Sequence, residues 1–417
     1  MNELFFCRTQ FAIGQGGFHA TRLFEDRRGD GFTFVYDCGS LNAADVLERE
    51  IQEFFDGGRH GWDCCWWSGA PSSGRVDLVV LSHIDADHVN GLARLLEHRE
   101  PKSNTVILLP YLEWWDRLAQ FASHPGGGEG VVEFVADPAE YLGRIQGVTV
   151  FTVSASTPDL SEGAPYERLI DQEQDAGGTL YVSPASTDGT IANGATLKHR
   201  RDTPWVIKVF VPSVVDETRQ DFVDRLVELI PDWADRFDRG LDSAGIRELL
   251  VNHASEVRAA TAHASLGRGG PNATSLVAYS GPDPDTVPNL VLSVCCRDGR
   301  RVDCECEGGL RGLGWLHTGD APLGDDTAYE SLRSAIGLYL PFVGIVTLPH
   351  HGSRHGFSWR LIDDCEPRTA VACSGPRKGW RHPDPDLWHS LALQGIGTVH
   401  VSRNELSRLH EGGVLFW

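Results

Sequence analysis

The run Val76-Asp77-Leu78-Val79-Val80-Leu81 is short, mostly apolar, and best read as a buried strand. It leads directly into Ser82-His83-Ile84-Asp85-Ala86-Asp87-His88-Val89-Asn90-Gly91, which holds two histidines and two aspartates within six residues. A tight loop at the end of a buried strand points all four side chains into one small volume. Four such ligands can hold two metal ions side by side, with His83 and Asp85 on one and Asp87 and His88 on the other. Isolated His and Asp residues in loops are usually solvated turn residues. Four at this spacing, followed by Gly91, favour a metal site.

The surrounding pattern is α/β. Phe32 to Tyr36 reads as a strand ending at Asp37-Cys38-Gly39-Ser40, and a helical stretch follows from about Asn42 to Phe55. Val106 to Leu109 and Val148 to Val153 read as further buried strands. From about Ser154 to Pro271 the signals change. Thr203 to Pro212 reads as a strand, while Glu217 to Ala264 has helical periodicity through Phe222, Leu226, Leu229, Ile230, Ile246, Leu249, Leu250 and Val257, interrupted at Pro231. Strand signals return at Ser275 to Tyr279, Leu290 to Cys295, Trp315 to Thr318 and Gly344 to Leu348. Strands alternating with helices, with reactive residues at strand ends, fit a layered α/β fold. The expected organisation is one such domain in two halves, 1–153 and 272–417, with a helix-rich subdomain inserted at 154–271.

Three more polar clusters stand out. Thr318-Gly319-Asp320 follows a strand, and a carboxylate there could bridge two metals through its two oxygens. Pro349-His350-His351-Gly352-Ser353 follows another strand. Arg381-His382-Pro383-Asp384-Pro385, with Arg377 and Lys378 just before it, forms a basic shoulder ahead of a helix. Cys295-Cys296 and Cys304-x-Cys306 flank a hairpin turn at Asp298-Gly299. Adjacent strand cysteines point to opposite faces, so packed thiols are the expected reading there rather than a zinc site. Cys64-Cys65-Trp66-Trp67 reads as a local packing cluster that could also line a cleft.

Charge limits the partners. The 417 residues carry 37 Lys and Arg against 58 Asp and Glu, a net charge of −21, and neutralising a nucleic-acid backbone needs cationic side chains. Basic residues nonetheless gather at Lys198 to Arg201, Arg297 to Arg301 and Arg377 to Arg381, and local charge decides docking of a polyanion. No apolar run reaches the roughly 20 residues of a membrane span, and the first residues lack a signal-peptide layout. The ten cysteines sit in a long chain without an export signal, which favours reduced thiols or a metal role. The expectation is a cytoplasmic chain with no membrane association.

Taken in order, these pieces resemble the metallo-β-lactamase fold superfamily, and within it the hydrolase domain of the ComEC type. That branch carries H-x-D-x-D-H, matched by His83-x-Asp85-x-Asp87-His88. Its T-G-D and H-H-G-S segments match Thr318 to Asp320 and His350 to Ser353. Ile13-Gly14-Gln15-Gly16-Gly17, Val35-Tyr36-Asp37-Cys38-Gly39 and Asn272-Ala273-Thr274-Ser275-Leu276-Val277 are similar to further segments of the branch. Two departures are visible: the superfamily's third-motif histidine has no match, Asn272 lying nearest, and Asp384 stands where the branch has a second His of H-P-H-P. Membrane channel segments are absent, so a role in DNA uptake does not carry over.

The resemblance implies an αββα sandwich whose strand-end loops gather at one edge. It implies His83, Asp85, Asp87, His88, Asp320, His350 and His351 as ligands of two divalent ions, Mn²⁺ or Zn²⁺, about 3.5–4 Å apart and sharing a hydroxide. Asp87 and His382 are the expected catalytic residues, and Asn272, Ser353, Arg377, Lys378 and Arg381 the expected substrate contacts. The implied activity is a metal-dependent phosphodiesterase or nuclease. Hydrolysis of small esters, lactones or nucleotide signals is the alternative, as is an effector of a bacterial conflict system regulated by a protein partner docking on 154–271.

Overall fold

The computed structural model describes residues 2–25, 31–42, 44–56, 74–100, 103–124, 128–154, 167–169, 180–184, 189–213, 217–264, 274–286, 290–297, 300–304, 312–376 and 381–416, with backbone alone at 217–218, 290–297 and 300–304. The chain opens with strands β1 (Glu3–Gln10), β2 (Gly16–Phe24) and β3 (Phe32–Ser40), then helix α1 (Ala44–Asp56). β4 (Leu78–Val80), α2 (Ala86–Val89), α3 (Leu92–His98), β5 (Thr105–Pro110), α4 (Trp114–Phe121), α5 (Glu129–Ala136), α6 (Pro138–Gly143) and β6 (Val148–Val153) follow. Next come short strands β7 (Glu167–Arg168), β8 (Tyr181–Ser183), β9 (Thr190–Ile191) and β10 (Thr196–Lys198), the longer β11 (Trp205–Phe210), and helices α7 (Glu217–Leu229), α8 (Ala234–Arg239) and α9 (Ser243–Ala264). The last part runs β12 (Val277–Pro282), β13 (Leu290–Arg297), β14 (Arg300–Cys304), β15 (Gly314–His317), α10 (Asp326–Ile336), β16 (Val343–Thr347), α11 (Trp359–Cys365), β17 (Thr369–Cys373), α12 (Pro385–Leu393), β18 (Gly397–Val401) and β19 (Leu409–Phe416).

These strands form two sheets. One has the order β14-β13-β19-β1-β2-β3-β4-β5-β6-β9, the other β18-β17-β16-β15-β12-β11-β10-β8-β7. Alternation along single strands shows how they stack, because successive side chains leave a strand on opposite faces. In β4 and β5, Leu78, Val80, Val106 and Leu108 enter the core shared with Trp205, Ile207 and Val209 of the second sheet. Their neighbours Val79, Ile107 and Leu109 face outward into the helices, among Ile51, Leu95, Leu118 and Phe121. On the far side, Val206, Phe210, Leu316 and Val346 meet Tyr329, Leu332 and Leu361 of α10 and α11. The layers are therefore helices, sheet, sheet, helices, which is the expected mixed α/β sandwich. Apolar runs without alternation, such as Val79-Val80-Leu81, follow from burial on both faces.

The block 154–271 is woven into these layers. β8, β10 and β11 extend the second sheet beside β12, and β9 pairs with β6 of the first. Phe222, Leu226, Leu249 and Val257 of α7 and α9 pack in one core with Leu118, Phe121 and Val135. The apolar face read from the helical period between Glu217 and Ala264 is thus turned inward. The Cys-rich hairpin pairs Arg297 with Arg300, while its cysteine side chains and the Cys64 to Trp67 segment lie outside the described residues.

What matters for the site is strand direction. β3, β4, β5 and β6 run parallel in the first sheet, and β15, β16, β17 and β18 in the second. Parallel neighbours bring their C-terminal ends to a common edge. The end of β3 carries Asp37, and the segments after β4, β15 and β16 carry His83 to His88, Asp320, and His350 with His351.

Candidate metal centre

The structure brings these loops into one cluster. His83, Asp87, His88, Asp320 and His351 are buried, Asp85 is largely so, and His350 is 32% exposed at the rim. Two compact triads, His83–His88–Asp320 and Asp87–His88–His351, each hold their ligand atoms within 4.8 Å of one another. Asp320 divides the cluster. Its Oδ1 lies 3.5 Å from His88 Nε2 and 3.7 Å from His351 Nε2. Its Oδ2 lies 4.0 Å from His83 Nε2 and 3.8 Å from His350 Nε2. Asp85 Oδ2 sits 3.7 Å from His83 Nε2, and Asp87 Oδ2 lies 3.2 Å from His351 Nε2.

The backbone explains how two adjacent histidines reach opposite oxygens of one carboxylate. His350 and His351 both adopt left-handed conformations, with φ of 48° and 58°, a region that costs a non-glycine residue about 1 kcal/mol or more. His350 N–H donates to Gly319 O at 3.0 Å, tying the loop after β16 to the loop after β15. Strain of this kind persists where surrounding structure holds it, and it concentrates at functional sites.

Each buried imidazole is oriented from behind. Asp37, at the end of β3 with φ 57°, accepts His88 Nδ1–H at 2.8 Å, Ser82 N–H at 2.7 Å and the Ser82 hydroxyl at 2.8 Å. Having given its proton to Asp37, Ser82 Oγ can accept from His83 Nδ1–H at 2.9 Å. His351 Nδ1–H donates to Cys373 O at 2.9 Å. All three rings therefore turn Nε2 inward, and His83 Nε2, His88 Nε2 and Asp85 Oδ1 are buried without a hydrogen-bond partner among the described residues. Inward-facing bare acceptors from imidazole and carboxylate, with second partners fixing the tautomers, are the donor set a divalent cation requires. The cluster can hold a metal.

Electrostatics point the same way. Burial and then His88 press His83 down to about 3. Burial, with Asp87 and Asp320 adding, pushes Asp85 up to about 8. His88 is held well above the ordinary histidine value: burial opposes this, and Asp37, Asp87 and Asp320 overcome it. Burial likewise resists charge on Asp320, but His351, His350 and His88 hold it well below the usual carboxylate range. The carboxylates draw positive charge into the pocket, whether as protons or as metal ions.

Other residues singled out from the sequence have separate fates. The His382 ring lies 5.7 Å from that of His350 and, by burial and then His350 and His351, is lowered to about 4. Ser353 is buried, and its Oγ accepts His355 N–H at 3.3 Å within its own turn. Arg381 is exposed. Asn272, Arg377 and Lys378 lie outside the described residues. Asp37 was not among the expected site residues; its signal is an aspartate that ends a strand just before a Cys-Gly pair. Behind the cluster, a cavity of about 30 Å³ is lined by Asp37, His88, Asp320 and His351 and reaches His19 and His317. It has room for a water or two.

An αββα sandwich with a His and Asp cluster at its strand ends defines a mixed α/β protein built around a candidate metal centre. The family model of the Metallo-beta-lactamase superfamily matches residues 23–189 of this chain. No curated protein sequence matches it. Among solved structures it is similar to the metallo-beta-lactamase fold protein YhfI from Bacillus subtilis, at 9% identity over 94% of this chain and 95% of that one, with a TM-score of 0.37. Unliganded yeast PDE1 is matched at 8% identity over 99% and 100% of the two chains, with a TM-score of 0.39. A long form RNase Z from yeast is matched at 10% identity over 97% of this chain and 41% of that one, with a TM-score of 0.33. At these scores the three likenesses say nothing about activity. No helix among the described residues is long and apolar enough to cross a membrane.

Proposed function

We propose that this protein is a divalent-metal-dependent phosphodiesterase, with nucleic acid as its leading substrate class. The observation that carries the reading is the division of Asp320, whose Oδ1 faces His88 and His351 and whose Oδ2 faces His83 and His350. One side of the site would be held by His83, Asp85 and His350, the other by Asp87, His88 and His351, with Asp320 common to both. Ions bound there would supply Lewis acidity and a water acidic enough to react at neutral pH. The oxygen donors of Asp85, Asp87 and Asp320 favour a hard ion, supporting Mn²⁺ over an all-imidazole zinc preference.

The chain's own residues would do the rest. Asp37 and Cys373 O keep His88 and His351 in the tautomer that presents Nε2. His382, whose ring lies 5.7 Å from that of His350, would contact the scissile group. Arg381 next to it, and Arg377 and Lys378, would meet the phosphate charge of a substrate. The pattern His83-x-Asp85-x-Asp87-His88 supports kinship with the ComEC-type hydrolases within the superfamily. The acidic balance of 58 Asp and Glu over 37 Lys and Arg supports a second reading, a small phosphodiester as substrate.

The test is hydrolysis of single- and double-stranded DNA, RNA and small phosphodiesters by the purified chain with Mn²⁺ or Zn²⁺, beside Asp87→Ala. Cleavage that disappears in the variant supports the reading. Equal background from both proteins on every substrate refutes it.

A further inference from the structure

The loop that carries Asp85 is held by the end of α4. Ile84 N–H donates to Gln120 Oε1 at 2.9 Å, and Ile84 O accepts from His124 Nε2 at 2.7 Å. Ala86 N–H donates to Ser123 Oγ at 3.3 Å, and the Ser123 hydroxyl in turn donates to Gln120 O at 2.8 Å, locking it to the end of α4. Gln120 in the last turn of α4, and Ser123 and His124 in the turn that follows it, thus grip the backbone on both sides of Asp85. The grip has its own support. Past the end of α4, the carbonyls of Ala122 and His124 accept from Arg258 Nη1 and Nη2, each at 3.0 Å, and the guanidinium sits 4.5 Å from the Phe121 ring. Terminal helix carbonyls lack intrahelical partners and favour a cation. Arg258 supplies both from α9, in the 154–271 block.

We propose that Gln120 and Ser123, braced by Arg258, are positioning residues that set Asp85 for the ion on the His83 side; this rests on the metal centre proposed above. The chain of contacts gives the helical block a role in the site without any contact to the ions. His88 and His351 are oriented separately, from Asp37 and Cys373 O, so the grip is expected to act on the Asp85 side of the cluster. Outer partners of ligands typically change metal affinity by about 10–100-fold.

Mn²⁺ titration by calorimetry of the metal-stripped full chain, with melting temperatures recorded in parallel, tests this. Gln120→Leu and Arg258→Ala should weaken one of two ions by about 10–100-fold and leave the other within a few-fold. Arg258→Lys should fall between Ala and wild type, since an ammonium lacks the planar fork that spans both carbonyls. Ser123→Ala, the mildest change, should weaken the same ion. Unchanged binding in all variants overturns the proposal, as does equal weakening of both ions with a collapsed melting transition. A wild-type chain that binds no divalent ion instead overturns the metal-centre reading, and this proposal with it.

Discussion

Asp37 Oδ2 and His88 Nδ1 stand 2.8 Å apart, joining the end of β3 to the loop after β4. The contact fixes which imidazole nitrogen faces the cluster. Asp37→Asn keeps the shape and tolerates the left-handed backbone, but gives up the carboxylate that polarises the ring. Competition with a chelator should show affinity for divalent ions reduced by about 10–100-fold in this variant, with the fold retained. Undiminished affinity would show that Asp37 only ties the two loops together.

Gly39 lies two residues further on, where β3 meets the segment that carries Asp87 and His88. A Cβ there would stand 2.6 Å from Asp87 C, His88 C and Val89 N, all backbone atoms with no room to yield. Gly39→Ala should therefore lower stability by about 1–3 kcal/mol and weaken metal binding at once. Urea unfolding and metal titration of the same preparation check both effects. A variant with wild-type midpoint and affinity would mean the two loops pack less closely than described.

Acid should unfold the protein in part through His199, which is buried and stacked on Phe32 at 5.4 Å. Burial, with Arg200 adding, lowers it from 6.5 to about 4. The folded state thus binds this proton more weakly than the unfolded state. Its contribution is complete above pH 6.5 and is lost as pH falls towards 4. At pH 5 the loss is about 2 kcal/mol. His199→Phe should accordingly show a drop in unfolding free energy between pH 7.5 and pH 5 smaller than wild type by about that amount. Equal drops in the two proteins would contradict the buried neutral state of His199.

The fold and the clustering of the His and Asp side chains were legible where chemistry is local. Val76 to Leu81 marks a buried strand because nothing polar interrupts its last four residues, and the His and Asp residues after it are dense enough to read alone. Thr318 to Asp320 and His350 to Ser353 acquire meaning only because β15 and β16 run parallel and end at the same edge. What the sequence could not display is long-range. β1 pairs with β19 some 400 residues away, Glu3 opposite Phe416, and no local period announces that. The separate orientations of His350 and His351 depend on two left-handed residues that carry no glycine signal. The grip of Gln120, Ser123 and His124 depends on where α4 ends relative to β4, and the inward face of α7 and α9 on a core they share with α4 and α5.

The proposed metal centre stands or falls with Asp320 being common to two ion sites. Metal content per chain, measured on wild type and Asp320→Ala after equilibration with Mn²⁺ and removal of free ion, tests it most directly. About two ions are expected for wild type and close to none for the variant. A wild-type chain with no bound ion, or a variant that keeps two, would contradict it.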